Sequence, residues 1–147
     1  MVLSRGRRCS RLAWGLLVAV LSLSGTSCGR HGVAVYPVEG KVFYQGKPAV
    51  RAVVFFHPHG AAPGPDVLRP QGVVREDGSF RLSTYTSDDG APEGEYDVTF
   101  VWTKPSPQGG DNDVTLLPVR YMYPGTSGIK AQVQAGPNQL PAYQLSR

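Results

Sequence analysis

After residue 32, apolar and polar residues alternate with a period of two along most of the chain. No window there carries a sustained helical period. Val38, Gly40, Val42 and Tyr44 interleave with Glu39, Lys41 and Phe43, and Gln45-Gly46-Lys47-Pro48 then supplies turn chemistry. Ala52 to Phe56 is a continuous apolar run, the pattern of a strand buried on both faces. Residues 72–75 and 79–84 flank Glu76-Asp77-Gly78, and Asp-Gly is a strong hairpin signal. The clearest strand is Glu95 to Thr103. It places Tyr96, Val98, Phe100 and Trp102 on one side and Asp97, Thr99, Val101 and Thr103 on the other. Ile129, Ala131 and Val133 alternate with Lys130, Gln132 and Gln134. A turn follows at Gly136-Pro137-Asn138, and Tyr143 and Leu145 close the chain.

These segments predict an all-β fold, a seven-stranded antiparallel β-sandwich over residues 35–147. Strands with one apolar side must bury it against a second sheet. The 18 glycines and 13 prolines among 147 residues suit short strands joined by turns and exclude a helical bundle. Two Pro/Gly-rich loops, 59–70 and 104–118, are long for a compact domain, and binding residues concentrate on such loops.

Charge changes the picture only at the N-terminus. Arg5, Arg7, Arg8 and Arg11 account for the whole formal net charge of +4, and no acidic residue precedes Glu39. The remainder is neutral, so a nucleic-acid partner loses its electrostatic basis. The basic stretch is followed by an apolar run from Leu12 to Leu23 and by small residues Ser24 to Ser27, the three parts of an export signal. The run spans 12 residues, short of the ~20 a membrane-crossing helix needs.

Ser24-Gly-Thr-Ser27 leading into Cys28 resembles the lipobox of bacterial lipoproteins, although Gly25 stands where a leucine is usual. The resemblance implies a signal peptide over 1–27, lipidation of Cys28, a tether over 28–34 and a domain held at the membrane of the cell envelope. Lipid chains supply the anchor, at roughly 0.8 kcal/mol per buried methylene. Two readings compete with it: ordinary secretory cleavage that leaves Cys28 as an incidental thiol, and an uncut anchor. The other cysteine, Cys9, lies in the basic leader, which weighs against a disulfide.

Val38-Glu-Gly-Lys-Val-Phe-Tyr-Gln-Gly-Lys-Pro48, Val53-Val-Phe-Phe56, Val74-Arg-Glu-Asp-Gly-Ser-Phe80 and Asp89-Gly-Ala-Pro-Glu-Gly-Glu-Tyr-Asp-Val98 together resemble the carboxypeptidase-regulatory-like, or transthyretin-like, domain. Residues 120–128 and 133–138 resemble the ending of small bacterial lipoproteins that carry it. The resemblance implies a prealbumin-like sandwich without a catalytic centre, serving binding or support. Some transthyretin relatives hydrolyse 5-hydroxyisourate, but the terminal Ala142-Tyr-Gln-Leu-Ser-Arg147 lacks their Tyr-Arg-Gly-Ser, so that activity is not carried over.

Candidate chemistry is sparse. His57 and His59 could present two imidazoles to a metal, but a third ligand is needed and His31 lies in the tether. Asp88-Asp89 and Asp111-Asn112-Asp113 offer oxygens for a calcium-stabilised adhesion module, yet turn-forming residues capping their own backbone explain both. No serine sits in a nucleophile elbow. The reading is therefore a non-enzyme without metal or cofactor. Among the aromatics, Tyr121 and Tyr123 beside Pro124-Gly125 are the binding candidates, facing an envelope protein or a glycan.

Overall fold

A computed structural model describes residues 32–62, 64–105 and 113–147. The expected signal peptide, Cys28, the start of the 28–34 tether, Pro63, and Asp111 and Asn112 lie outside the described residues.

The described chain is almost all β. Its strands are β1 Val35–Tyr36, β2 Val38–Tyr44, β3 Lys47–Pro48, β4 Val53–Pro58, β5 Gln71–Val73, β6 Ser79–Arg81 and β7 Ala91–Pro92. After these come β8 Gly94–Val101, β9 Thr103–Lys104, β10 Val114–Thr115, β11 Lys130–Val133, β12 Asn138–Gln139 and β13 Tyr143–Leu145. A 3-10 turn, Val119–Met122, and a one-turn helix α1, Pro124–Ser127, interrupt them. The order β11-β8-β4-β5 makes one antiparallel sheet. A second sheet forms around β2, which pairs with β3, β6, β12 and β13.

The alternation of β2 and β8 explains how these sheets share a core. Val38 and Val42 are buried from β2, and Tyr96, Val98 and Phe100 from β8, together with Val54 and Phe56 of β4 and Phe80 and Leu82 at β6. Tyr143 of β13 sits between aromatics of both sheets. Its ring lies 5.4 Å from Phe100 of the first sheet, edge to face, and 6.3 Å from Phe80 of the second, stacked. Burying each such side chain contributes roughly 1.5–3 kcal/mol, and each aromatic pair adds about 0.5–1.5 kcal/mol.

Four features differ from the sequence expectation. First, β4 is buried on one face only. Val54 and Phe56 are fully covered, whereas Val53 and Phe55 on the other face stay partly exposed. Second, the Asp-Gly turn closes the expected hairpin, but the two arms of that hairpin join different sheets. Arg75 N–H donates to the Ser79 carbonyl and Gln71 and Ser83 exchange two bonds, but between them β5 joins β4 and β6 joins β2. Third, β12 and β13 run parallel to β2 in a fold expected to be antiparallel throughout. The turn at Gly136, with φ 110°, brings the chain to the start of β2, so it continues along β2 in the same direction. Asn138 holds that turn, accepting from Gln134 N–H and donating to the carbonyls of Gln134 and Gly136. Fourth, the described strands are shorter and more numerous than seven continuous ones.

Glycine is required at position 90. Its φ of 102° lies in the left-handed region, and a Cβ there would collide with the Tyr36 carbonyl. This close approach lets Ala91–Pro92 pair with Val35–Tyr36 before β8 begins.

The Tyr143 hydroxyl is buried without a hydrogen-bond partner, and burial pushes its phenol up to about 12. An unpaired buried hydroxyl costs roughly 1–3 kcal/mol. Tyr143→Phe keeps both ring contacts and removes that cost. Denaturant unfolding is expected to find the variant more stable by about 1 kcal/mol. A clear loss of stability would mean that the hydroxyl is satisfied after all.

Candidate functional site

The exposed side of the four-stranded sheet follows from the strand register. Val53 pairs with Val73 and Val101, Phe55 with Gln71 and Thr99, and His57 with Asp97. Residues paired across strands share a face. The outer face is thus apolar at one end (Val73, Val53, Val101) and polar at the other. Val73 is 57% exposed, much for a valine in a strand.

β11 covers β8 only over Gly94–Asp97, because its register ends there. Farther along β8, the 119–127 segment supplies the neighbour. Tyr121 turns into the core, edge to face with Phe100 at 6.4 Å, while Met122 lines the outer face beside Val101 and Thr99. Two open concavities result. One, of about 440 Å³, has Phe55, Thr99, Val101 and Met122 on its floor and His57, Arg69 and Gln71 at its rim. The other, of about 480 Å³, shares Phe55 and Gln71 and continues over Val53 and Val73 to Arg75, Arg81 and Asp88.

Both expected histidines lie at the polar end. His57 Nε2 is 2.8 Å from Thr99 Oγ1, and His59 Nδ1 is 2.8 Å from Asp97 Oδ2. Partial burial, with the positive charge of Arg69 second, lowers the His57 pKa below its ordinary value, against a smaller opposing effect of Asp97. His57 is therefore a neutral ring at pH 7. A nucleophilic triad needs one imidazole bonded to both a hydroxyl and a carboxylate. Here the hydroxyl pairs with one histidine and the carboxylate with the other. Thr99 is moreover only 1% exposed. Among the described residues no group of three or more His, Cys, Asp or Glu is gathered as metal ligands.

The two tyrosines singled out by sequence do not form one surface. Tyr121 is 7% exposed and Tyr123 58%. The Tyr121 hydroxyl accepts from Ser146 N–H and from Arg120, each at 3.2 Å, and the Arg120 guanidinium also lies over its ring. Burial alone would raise its phenol, but these hydrogen bonds and the Arg120 charge outweigh it and lower the pKa. Trp102 is also structural, its Nε1–H donating to the Val50 carbonyl and its ring packing edge to face on Tyr44.

The carboxylates considered for calcium are engaged by donors. Asp89 accepts the N–H groups of Thr84, Tyr85 and Thr86, and Asp88 accepts from Arg75 at 2.9 Å. This loop collects positive ends around its carboxylates, the reverse of a cation cage. Asp113 accepts from the Thr103 hydroxyl.

Sequence reasoning missed the outer face because the run Val53-Val-Phe-Phe56 has no polar member to mark the uncovered side. Its signal was the excess of apolar residues over what one buried face requires.

No protein-family model and no curated protein matches the chain. Among solved structures, a 9R-lipoxygenase from Cyanothece is similar over 76% of this chain and 16% of its own length, at 10% identity and a TM-score of 0.41. This chain thus spans a small part of that enzyme, and a likeness so distant carries no argument about activity.

Burial raises the Asp89 carboxyl, but the three backbone N–H groups outweigh it and hold the pKa below the ordinary value. A depressed carboxylate contributes stability that is present above its unfolded pKa and lost as pH falls through the folded one. Asp89→Ala is therefore expected to lower stability at pH 7 by roughly 1–2 kcal/mol. The gap to wild type should close as pH falls below about 4. A gap independent of pH would remove the charge from this explanation.

Proposed function

We propose that this chain is an exported lipoprotein of the bacterial cell envelope, anchored to the membrane through lipid on Cys28. Residues 35–147 then form a seven-stranded, prealbumin-like β-sandwich of the carboxypeptidase-regulatory-like kind, and they bind a partner without catalysing a reaction. Support for the sandwich comes from strand length. β2, β4, β5, β6, β8, β11 and β13 each have three or more residues, and all of them but β5, whose buried residue is Gly72, give side chains to one core.

The observation that carries the binding role is the apolar outer face of β5, β4 and β8, where Val73 is exposed and Val53, Phe55 and Val101 are half-buried. Soluble domains rarely leave a contiguous apolar patch open unless something docks there. Support for a non-catalytic role comes from the division of hydroxyl and carboxylate between His57 and His59. No helix among the described residues is long and apolar enough to cross a membrane, so the membrane attachment in this reading rests on the leader and Cys28.

Cys28→Ala is expected to shift the protein from the membrane fraction to the soluble one, and intact mass of the wild type should show acylation at residue 28. A variant that stays in the membrane, or an unmodified full-length wild type, contradicts the anchor. Turnover of 5-hydroxyisourate by the purified chain, abolished by His57→Ala, would contradict the non-catalytic role.

A further inference from the structure

We infer that the outer face of the four-stranded sheet docks an extended acidic peptide segment of a partner protein, with apolar side chains on the sheet and carboxylates on the rim arginines. The inference rests on the binding role proposed above and names the chemistry of the partner.

Charge complementarity selects the occupant. Among the described residues, Arg69, Arg75 and Arg81 line the two adjoining concavities together with one carboxylate, Asp88. Arg75 is held by Asp88 at 2.9 Å and Arg81 by Glu39 at 3.3 Å, both exposed pairs that solvent weakens. Arg69 makes no ion pair among the described residues, and it stands beside the apolar floor of Phe55 and Val101. Asp97, farther along the same face, is already held by His59. Arg69 is therefore the rim cation left for an incoming carboxylate, beside an apolar centre, with Arg75 and Arg81 able to exchange their exposed partners.

Shape selects a segment over a small molecule. Both concavities are open along the sheet, whereas sites for small ligands enclose most of the ligand surface. From Val53 to His57 the floor runs about 13 Å at ~3.3 Å per residue, and three strands make it roughly 10 Å wide. That area receives about four extended residues and suits weak, reversible docking.

The test uses the full chain, purified from membranes in mild detergent, and three fluorescein-labelled octapeptides. One alternates glutamate with leucine and phenylalanine, one replaces each glutamate by lysine, and one is all glutamate. Fluorescence anisotropy should show saturable binding of the first peptide only, weakened as salt rises. Arg69→Ala should weaken it roughly two- to fivefold. Phe55→Ala should weaken it roughly tenfold or more. If that variant melts early, Val73→Asp, at a position already exposed, replaces it and should also abolish binding.

Equal binding of the lysine peptide, or of the all-glutamate peptide, would overturn the inference, as would no binding of the first peptide at millimolar concentration. Sedimentation showing a dimer that Val73→Asp dissolves would also overturn it, because a second copy would then be the occupant. A failed titration with acylated Cys28 and normal membrane retention removes this inference alone. The anchor and turnover experiments decide the broader reading separately.

Discussion

The structure depends on the contact of Tyr143 with Phe100 on one side and Phe80 on the other. Neither sheet is stable alone, since each has one apolar face that must leave water. Tyr143 comes from the last strand, which reaches the core by running parallel to β2. The final residues are therefore part of the fold's closure. The chain accepts a buried, unpaired hydroxyl at this point because the ring fills the space between the sheets.

Closing the sheets on one side leaves the other side of β4 and β8 only partly covered. β11 reaches along β8 only as far as Asp97, and Met122 from the 3-10 turn supplies the remaining cover. Val73 stays exposed there, and Val53 and Phe55 are half-buried. Evolution of a merely stable domain would place polar residues at these positions, as it does at Lys130 and Gln132 of β11. Apolar residues there, with Arg69, Arg75 and Arg81 beside them, are what the proposed docking role rests on. The histidines at its polar end are tied to Thr99 and Asp97. They set the shape of the rim and hold those two side chains in place.

Much of this fold was legible in the sequence, and the reasons are local. Tyr96, Val98 and Phe100 declared the buried face of β8 because charged or hydroxyl residues separate them. Asp77-Gly78 and Gly136-Pro137-Asn138 announced turns through their own backbone preferences. What the sequence concealed was long-range. The direction of β13 beside β2 depends on where the preceding turn delivers the chain, which no local pattern encodes. Tyr121 and Tyr123 look alike in sequence, and only the packing of the 3-10 turn on Phe100 separates a core ring from an exposed one. The partly exposed side of β4 escaped for a similar reason, because Val53-Val-Phe-Phe56 reads the same whether one or both sides are covered.

The central claim is that this strand is covered on one side only, and solvent paramagnetic relaxation tests it directly. With a soluble gadolinium chelate added to the labelled protein, the account predicts strong relaxation of Val53, Phe55 and Val73 side-chain protons. Those of Val54, Phe56 and Phe100 should remain protected. Equal protection of both sets would mean that the strand is buried on two faces, and the open face would not exist.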